Sequence, residues 1–254
     1  MNPKLIREVA SGIFQILGRN RAAHTYIIKG SRRIVMVDSG LPTTFDITQS
    51  ALAELGLSTN DIDLVLLTHE HIDHAGGAPL MPKSCLIAAH RLAANKLALK
   101  DEFALMNQAF ALNTDHFEID VCLEQGSIID TGEHQIEVIH TPGHCSGAIC
   151  VYEHSNRVMF SADTIMAKGI VGGVLGSGNI SDYINSLRRL RTWNTELLLP
   201  GHGVNCTDVT PSIDAGILQL ETLLRDSREV FNAMKNSDHG FDSVVRSLRE
   251  LNVR

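Results

Sequence analysis

Three histidines and an aspartate stand close together in an H-x-H-x-D-H pattern that begins at His69. Alternate side chains of an extended segment project to the same side, so His69 and His71 can hold one cation. A turn at Ile72 would point Asp73 and His74 back toward a second cation. Burying three imidazoles and a carboxylate without a cation would be costly. The spacing therefore predicts a metal site rather than a group of structural polar residues.

Three further candidate ligands each follow a predicted strand. His144 ends the run Thr-Pro-Gly-His, Asp163 ends Phe-Ser-Ala-Asp, and His202 ends Leu-Pro-Gly-His. Each motif alone is more often a simple turn. Loops at strand ends converge in one crevice, where open sheet proteins bind their ligands. Occurring in this order after the first pattern, the three residues are predicted to join the same site.

The segments that must position these residues alternate between strand-like and helix-like patterns. Residues 64–68 (LVLLT), directly before His69, form a continuous apolar run that is typical of a strand covered on both faces. Other strands are predicted at residues 13–17, 26–29, 34–37, 85–89, 136–140, 148–153, 158–161 and 197–199. Helices are predicted at residues 43–55, from about 90, at 181–192 with Ser181 as N-cap, at 213–234 and at 241–251. The succession favours an α/β protein in one domain, residues 1–254, with two similar halves and residues 211–254 as a C-terminal helical extension.

The amino-acid composition argues against several classes of protein. The chain has 254 residues, with 22 basic and 29 acidic side chains and a formal net charge of −7. This balance argues against a general nucleic-acid binder or membrane-surface binder. An apolar content of 44% excludes a disordered or collagen-like chain. Five cysteines without a C-x-x-C pair, no secretory signal and no membrane-spanning stretch predict a cytoplasmic protein.

From Ile13 to His202 the chain resembles the metallo-β-lactamase-fold superfamily, and Asp38, at the end of an early strand, looks like that family's first motif. The resemblance implies a four-layer αββα sandwich of two similar halves. It also implies one metal ion held by His69, His71 and His144, and a second held by Asp73, His74 and His202. Asp163 would bridge the two ions.

The implied donors are nitrogen and oxygen atoms, which suit two divalent ions, with zinc first and iron or manganese as alternatives. Such a pair would hold a bridging hydroxide that attacks a polarised substrate, with Asp73 and Asp163 as the catalytic residues. Asp38, Thr68 and Thr141 are candidates to orient the ligating histidines, and capping of strand ends is the alternative for each. The implied reaction is hydrolysis.

The branches of the superfamily differ in their motifs. True β-lactamases do not normally use the bridging aspartate, so Asp163 argues against that branch. Glyoxalase II-like thioesterases carry a Gly-His-Glu-Tyr stretch, whereas residues 201–204 here read Gly-His-Gly-Val. Acyl-homoserine lactonases place a tyrosine shortly after the bridging aspartate, but the next tyrosine here is Tyr183, which either borders the cleft or packs. Residues 182–187 look like the branch with small RNA-cleaving members, yet the six basic and seven acidic residues from 211 onward suit phosphates poorly.

We therefore predict a hydrolase for an ester, thioester or lactone bond of a small molecule. A phosphodiesterase or endoribonuclease of the same fold, and a mono-iron persulfide dioxygenase, are the alternatives. A binding protein with a vestigial site is disfavoured because all seven ligands are present. No nucleic-acid or membrane partner is expected, and the apolar C-terminal helices could form a homodimer.

Two segments near the predicted site remain open. Residues 99–117 carry Phe103, Met106 and Phe110 at helical spacing, and are predicted as a buried helix face, with a lid over an apolar acyl group as the alternative. Residues 168–179 hold five glycines and predict a flexible loop that borders the site without forming a phosphate cradle. The seven other histidines are predicted to be surface or core residues, with His116 and His140 the nearest to the cleft.

Overall fold

A computed structural model describes residues 5–112 and 118–235 of the chain, whose strands form two sheets. The first sheet has seven strands in sequence order: β1 (Ile6–Ala10), β2 (Ile13–Ile16), β3 (Thr25–Lys29), β4 (Ile34–Val37), β5 (Leu64–Leu67), β6 (Leu86–His90) and β7 (Val121–Leu123). The second has five: β8 (Ile128–Asp130), β9 (Gln135–His140), β10 (Ile149–Glu153), β11 (Val158–Ala162) and β12 (Leu197–Pro200). Its spatial order is β12-β11-β10-β9-β8.

Helices lie between and after these strands. Over the described ranges they are α1 (Phe45–Glu54), α2 (Ile72–Ala75), α3 (Arg91–Leu99), α4 (Asn107–Phe110), α5 (Ile180–Leu190) and α6 (Val209–Lys235). In the part of the chain that the structure describes, no helix is both long and apolar enough to cross a membrane.

The buried apolar residues divide into layers. One cluster joins the facing sides of the two sheets, with Val37 and Leu66 of the first sheet and Val151 and Phe160 of the second. A second cluster packs the outer face of the first sheet against α1 and α3. A third packs the outer face of the second sheet against α5 and α6. Each sheet is therefore covered on both faces, and the predicted αββα sandwich is confirmed.

The strand directions bring the candidate residues to one edge. Strand β4 is parallel to β5, and β5 is parallel to β6, so the segments that follow β4 and β5 leave the sheet side by side. In the second sheet β11 is parallel to β12, which places the residues after these two strands next to each other. The four residues of β5 are all buried, as expected for a parallel strand between two layers.

Several element boundaries differ from the sequence-based expectations. Ser181 is not the N-cap of α5: this helix begins one residue earlier, and the side chain of Asn179 accepts a hydrogen bond from the backbone N–H of Asp182. Helix α6, predicted at 213–234, begins at Val209 and is described to Lys235. Strands β1, β7 and β8 were not predicted. The predicted helix at 241–251 lies outside the described residues, and the division into one domain with a C-terminal extension stays a prediction.

Candidate metal centre

The H-x-H-x-D-H segment changes direction where the spacing predicts. Strand β5 ends at Leu67, and His71, with extended backbone angles, caps the short helix α2, which starts at Ile72. Asp73 and His74 therefore lie on the first turn of a helix, while His69 comes from the extended segment before it. This turn lets one short stretch present side chains in two directions.

The structure brings all seven predicted residues together. Their nitrogen and oxygen atoms form three sets, each within 4.8 Å: His69, His71 and His144; His69, His74 and Asp163; and Asp73, His74 and His202. In the first set, Nδ1 of His71 lies 3.0 Å from Nε2 of His69 and 3.0 Å from Nε2 of His144. In the third set, Nε2 of His202 lies 3.0 Å from Oδ2 of Asp73.

Asp163 lies between these sets. Its Oδ2 is 3.7 Å from Nε2 of His144, and its Oδ1 is 3.3 Å from Nε2 of His74 and 3.8 Å from Nε2 of His202. Two of these buried atoms, Nε2 of His74 and Oδ1 of Asp163, have no hydrogen-bond partner among the described residues. Because an unsatisfied buried polar atom is costly, a cation between them would supply the missing interaction. The donor chemistry of the whole set fits divalent ions.

Electrostatics at the centre also favour a cation. Burial, reinforced by the neighbouring histidines, holds the pKa of His69 well below 6.5 and lowers the pKa of His71 to about 3. Both imidazoles are therefore neutral at pH 7 and keep a lone pair for a metal. His74 differs: burial lowers its pKa, but the surrounding carboxylates, Asp163 first, outweigh burial and raise its pKa well above 6.5. Positive charge is thus stabilised in the middle of the cluster.

Three ligand candidates are oriented by oxygen atoms behind them. The geometry allows Nδ1–H of His74 to donate to Oδ2 of Asp38 at 2.7 Å, and Nδ1–H of His69 to donate to Oγ1 of Thr68 at 3.1 Å. Likewise Nδ1 of His144 lies 2.9 Å from the carbonyl oxygen of Gly173. Nε2 of each of these three histidines therefore faces the shared centre, and at His74 a bound metal would take the place of the Nε2 proton that the raised pKa favours.

The proposed orienting role therefore fits two of its three candidates. The Thr68 hydroxyl and backbone N–H both donate to the Asp38 carboxylate, which links the two. Thr141 instead bonds to the carbonyl oxygen of Ala148, the thiol of Cys150 and the hydroxyl of Thr164. For Thr141 the alternative, a capping role at a strand end, is the better description.

The glycine-rich loop after Asp163 borders the centre, as predicted. A Cβ atom on Gly172 would lie 2.6 Å from the Asp163 carbonyl oxygen and 3.0 Å from Nδ1 of His144, so only glycine fits there. Tyr183 of α5 is fully buried, and its hydroxyl donates to the Asp163 carbonyl oxygen at 2.7 Å and accepts from the Gly172 N–H. Of the two roles left open for Tyr183, the structure shows packing.

Comparison with known proteins agrees with this geometry. The profile of the metallo-beta-lactamase superfamily matches residues 18–202, most of the chain. The chain belongs to this superfamily. Acyl-coenzyme A thioesterase MBLAC2 of Homo sapiens is 26% identical over 227 residues, covering 77% of this chain and 80% of that protein. An atrochrysone carboxyl ACP thioesterase of Aspergillus chevalieri is 27% identical over 245 residues, covering 93% and 68%.

Solved structures of the superfamily share the fold. A mutant of the HARLDQ-motif metallo-beta-lactamase from Cronobacter sakazakii aligns with a TM-score of 0.74 at 18% identity, covering 89% of this chain and 99% of that one. BJP-1, a subclass B3 metallo-beta-lactamase of Bradyrhizobium japonicum, aligns with a TM-score of 0.69 at 20% identity, covering 91% and 95%. At these identities the likeness concerns the fold, and the predicted family resemblance is confirmed.

Two charged residues beside this superfamily motif were not predicted from the sequence. Glu70, between His69 and His71, is buried and pairs with Lys96 of α3. Side chains alternate along an extended segment, so the spacing indicates that Glu70 points away from the two histidines. No sequence pattern indicates Lys96, because its partner Glu70 is 26 positions away along the chain.

The remaining histidines have structural roles where they are described. Nε2 of His24 lies 2.8 Å from the carbonyl oxygen of Gly203, and Nδ1 of His24 accepts from Gly18, so His24 braces the segment after His202. His140 stacks on His90, with ring centroids 3.9 Å apart. His116 and His239 lie outside the described residues.

Residues 99–112, the described part of the segment 99–117, do not form the predicted buried helix face. Turns span residues 102–106, α4 has only four residues, and the Phe103 side chain is 73% exposed. The guanidinium of Arg21 lies over the Phe110 ring, 4.2 Å from its centroid. Residues 113–117 lie outside the described residues.

Proposed function

We propose that this chain is a dinuclear metal-dependent hydrolase that cleaves acyl thioesters. The observation that carries the proposal is the position of Asp163, whose two carboxylate oxygens face different donor sets. A carboxylate in this position can bridge two ions, whereas a site with one ion does not need a bridging carboxylate. Oδ1 of Asp163 and Nε2 of His74 face each other at 3.3 Å without a well-formed hydrogen bond, which supports a cation at this point.

The proposed ligands follow from the distances. His69, His71 and His144 would hold one ion, and Asp73, His74 and His202 the other. Zinc suits these nitrogen and oxygen donors, with iron and manganese as the alternatives. When bound, such ions supply Lewis acidity and an activated water.

The burial of the candidate ligands indicates the side from which substrate reaches the site. His69, His74 and His144 are fully buried, whereas the His202 side chain is 33% exposed. Substrate therefore approaches from the His202 side, where Asp73 is also close. We infer that the Asp73 carboxylate accepts a hydrogen bond from the attacking water and orients it. The buried histidines behind it exclude bulk solvent.

The relatives favour a thioester among the carbonyl substrates. Two of them are named as thioesterases, one for acyl-coenzyme A and one for a carrier-protein-bound acyl group. Both share the chemistry of a carbonyl carbon bound to sulfur, and the match to each covers at least two thirds of that protein.

A homodimer and a cytoplasmic location stay predictions.

Metal analysis combined with a substrate panel tests the proposal. We expect about two zinc equivalents per chain by elemental analysis, and thiol release from acyl-coenzyme A substrates that stops when the metal is chelated. A lactone, a phosphodiester reporter and glutathione persulfide complete the panel. One iron per chain with oxygen uptake on the persulfide would contradict the proposal, as would cleavage of the phosphodiester alone.

A further inference from the structure

A buried ion pair lies directly behind the three-histidine set. The Glu70 side chain is 1% exposed and the Lys96 side chain 16%, and Nζ of Lys96 lies 2.5 Å from Oε1 of Glu70. Burying two charges costs several kcal/mol per ion in solvation, so such a pair is weak evidence for stability by itself. Its position between His69 and His71 suggests another role.

The Lys96 ammonium uses all three of its donors. Besides Glu70, it donates to Oγ of Ser146 at 2.7 Å and to Oγ of Ser177 at 2.7 Å. Oγ of Ser177 also accepts from the Ser146 N–H at 3.0 Å. Ser146 follows His144 by two residues. One ammonium therefore joins the segment of His69 and the loop of His144.

Two more contacts extend this network. The second oxygen of Glu70 accepts a hydrogen bond from the Cys145 thiol at 3.3 Å, next to His144. Ser177 belongs to the glycine-rich loop, whose Gly173 carbonyl oxygen orients His144. Every contact of the network thus reaches a segment that carries or orients a residue of the three-histidine set.

We propose that Lys96 is a positioning residue for the metal ion of the three-histidine set. Through Glu70 it fixes His69 and His71, and through Ser146 and Ser177 it fixes His144. The second set contains Asp73, His74 and His202, and among the described residues no contact of this network reaches their side chains. The inference rests on the proposed metal centre and concerns one of its two ions.

A positioning role for Lys96 and a purely electrostatic effect of its charge predict opposite changes in metal affinity for Lys96→Met. Removing a positive charge near a cation would tighten binding if charge alone mattered. Losing the link between the segments would weaken binding, by about 10–100-fold, the usual effect of removing a group that orients a ligand. The sign of the change in metal affinity therefore separates the two.

Cobalt titration of metal-free protein provides the test, with ligand-field absorption as the readout and a competing chelator to measure affinity. A His202→Ala background reports the three-histidine set, and a His71→Ala background reports the other set. We expect Lys96→Met to weaken cobalt binding and change its spectrum in the first background only. Lys100→Met, the same charge change at an exposed position just after α3, should alter neither.

Tighter or unchanged binding in Lys96→Met would overturn the inference, and so would an equal loss in both backgrounds, which indicates general destabilisation. If Lys96→Met does not fold by circular dichroism, Ser177→Ala decides: we expect a loss of a few-fold in the first background, and no loss there contradicts the inference. A wild-type chain that binds no cobalt would overturn the proposed metal centre and this inference together.

Discussion

At the scale of single residues, Asp163 is the group on which both donor sets depend. Its oxygens face His144 on one side and His74 on the other. In Asp163→Asn the side chain keeps its shape but loses its charge, so the site can no longer neutralise two ions. We expect turnover to fall by about 10³-fold, the scale of losing a preorganised electrostatic element, and metal content to fall to one equivalent or less.

Elemental analysis and a thiol-release assay measure both effects. Asp46→Asn is the matched control, because Asp46 is exposed on α1 and far from the candidate ligands in the sequence. Full metal content with normal turnover in Asp163→Asn would show that this carboxylate does not bridge.

Asp38 acts behind the ligands rather than among them. Its carboxylate accepts hydrogen bonds from His74 and Thr68, and its φ of 58° is a conformation that asparagine also tolerates. Asp38→Asn should therefore preserve the backbone while weakening the orientation of His74. We expect metal affinity to fall about 10–100-fold in a chelator competition, with unchanged circular dichroism. An unaltered affinity would mean that Asp38 only caps its strand.

The sequence predicts the residues of the site best where they lie close together along the chain. His69, His71, Asp73 and His74 follow from spacing within six residues, because the backbone geometry over so short a stretch leaves few choices. The partners of the Lys96 ammonium come from segments separated by 26, 50 and 81 positions, and no pattern along the chain connects them.

At the scale of elements, the segment after α3 lies at the rim of the centre. A Cβ atom on Gly176 would be 3.8 Å from the exposed Phe103 ring, so this ring lies against the glycine-rich loop. The same loop contacts His144 through the Leu175 N–H. An exposed aromatic ring at this place suits contact with the acyl chain of a thioester.

We therefore expect Phe103→Ala to raise KM about tenfold for long acyl chains and to leave short ones unchanged, since covering an apolar side chain of this size contributes about 1.5–3 kcal/mol. Steady-state kinetics across a series of chain lengths measures this. Leu218→Ala, an exposed apolar residue on α6, is the control. An equal effect on all chain lengths would contradict a role in chain binding.

Buried strands and helices were easier to predict from the sequence than exposed ones. The apolar runs of β4 and β5 revealed these strands because layers cover both of their faces. Strands β1, β7 and β8 stand at sheet edges and contain exposed residues, so they lack such a run. The N-cap of α5 was misplaced because Asn179 and Ser181 are both good caps, and only the hydrogen bond to Asp182 distinguishes them.

At the scale of the whole molecule, the candidate ligands come from both sheets. His69, His71, Asp73 and His74 follow the first sheet's β5, whereas His144, Asp163 and His202 follow strands of the second. Bound ions would thus join the two halves of the sandwich. The family resemblance predicted this architecture, because seven residues in fixed order define the site that the two sheets must form.

Metal removal should therefore destabilise the entire fold. A ligand that binds only the folded state stabilises it by about 2.7 kcal/mol at 100 times its Kd. For a protein of this size, that corresponds to a Tm lower by roughly 5–10 °C for each ion removed. Thermal unfolding with and without a chelator measures the shift, and added zinc should restore it. Asp163→Asn, already depleted of metal, should respond less. If elemental analysis confirms removal and Tm is unchanged, the ions do not join the two halves, because a cation held by residues of both sheets must be lost when the sheets separate.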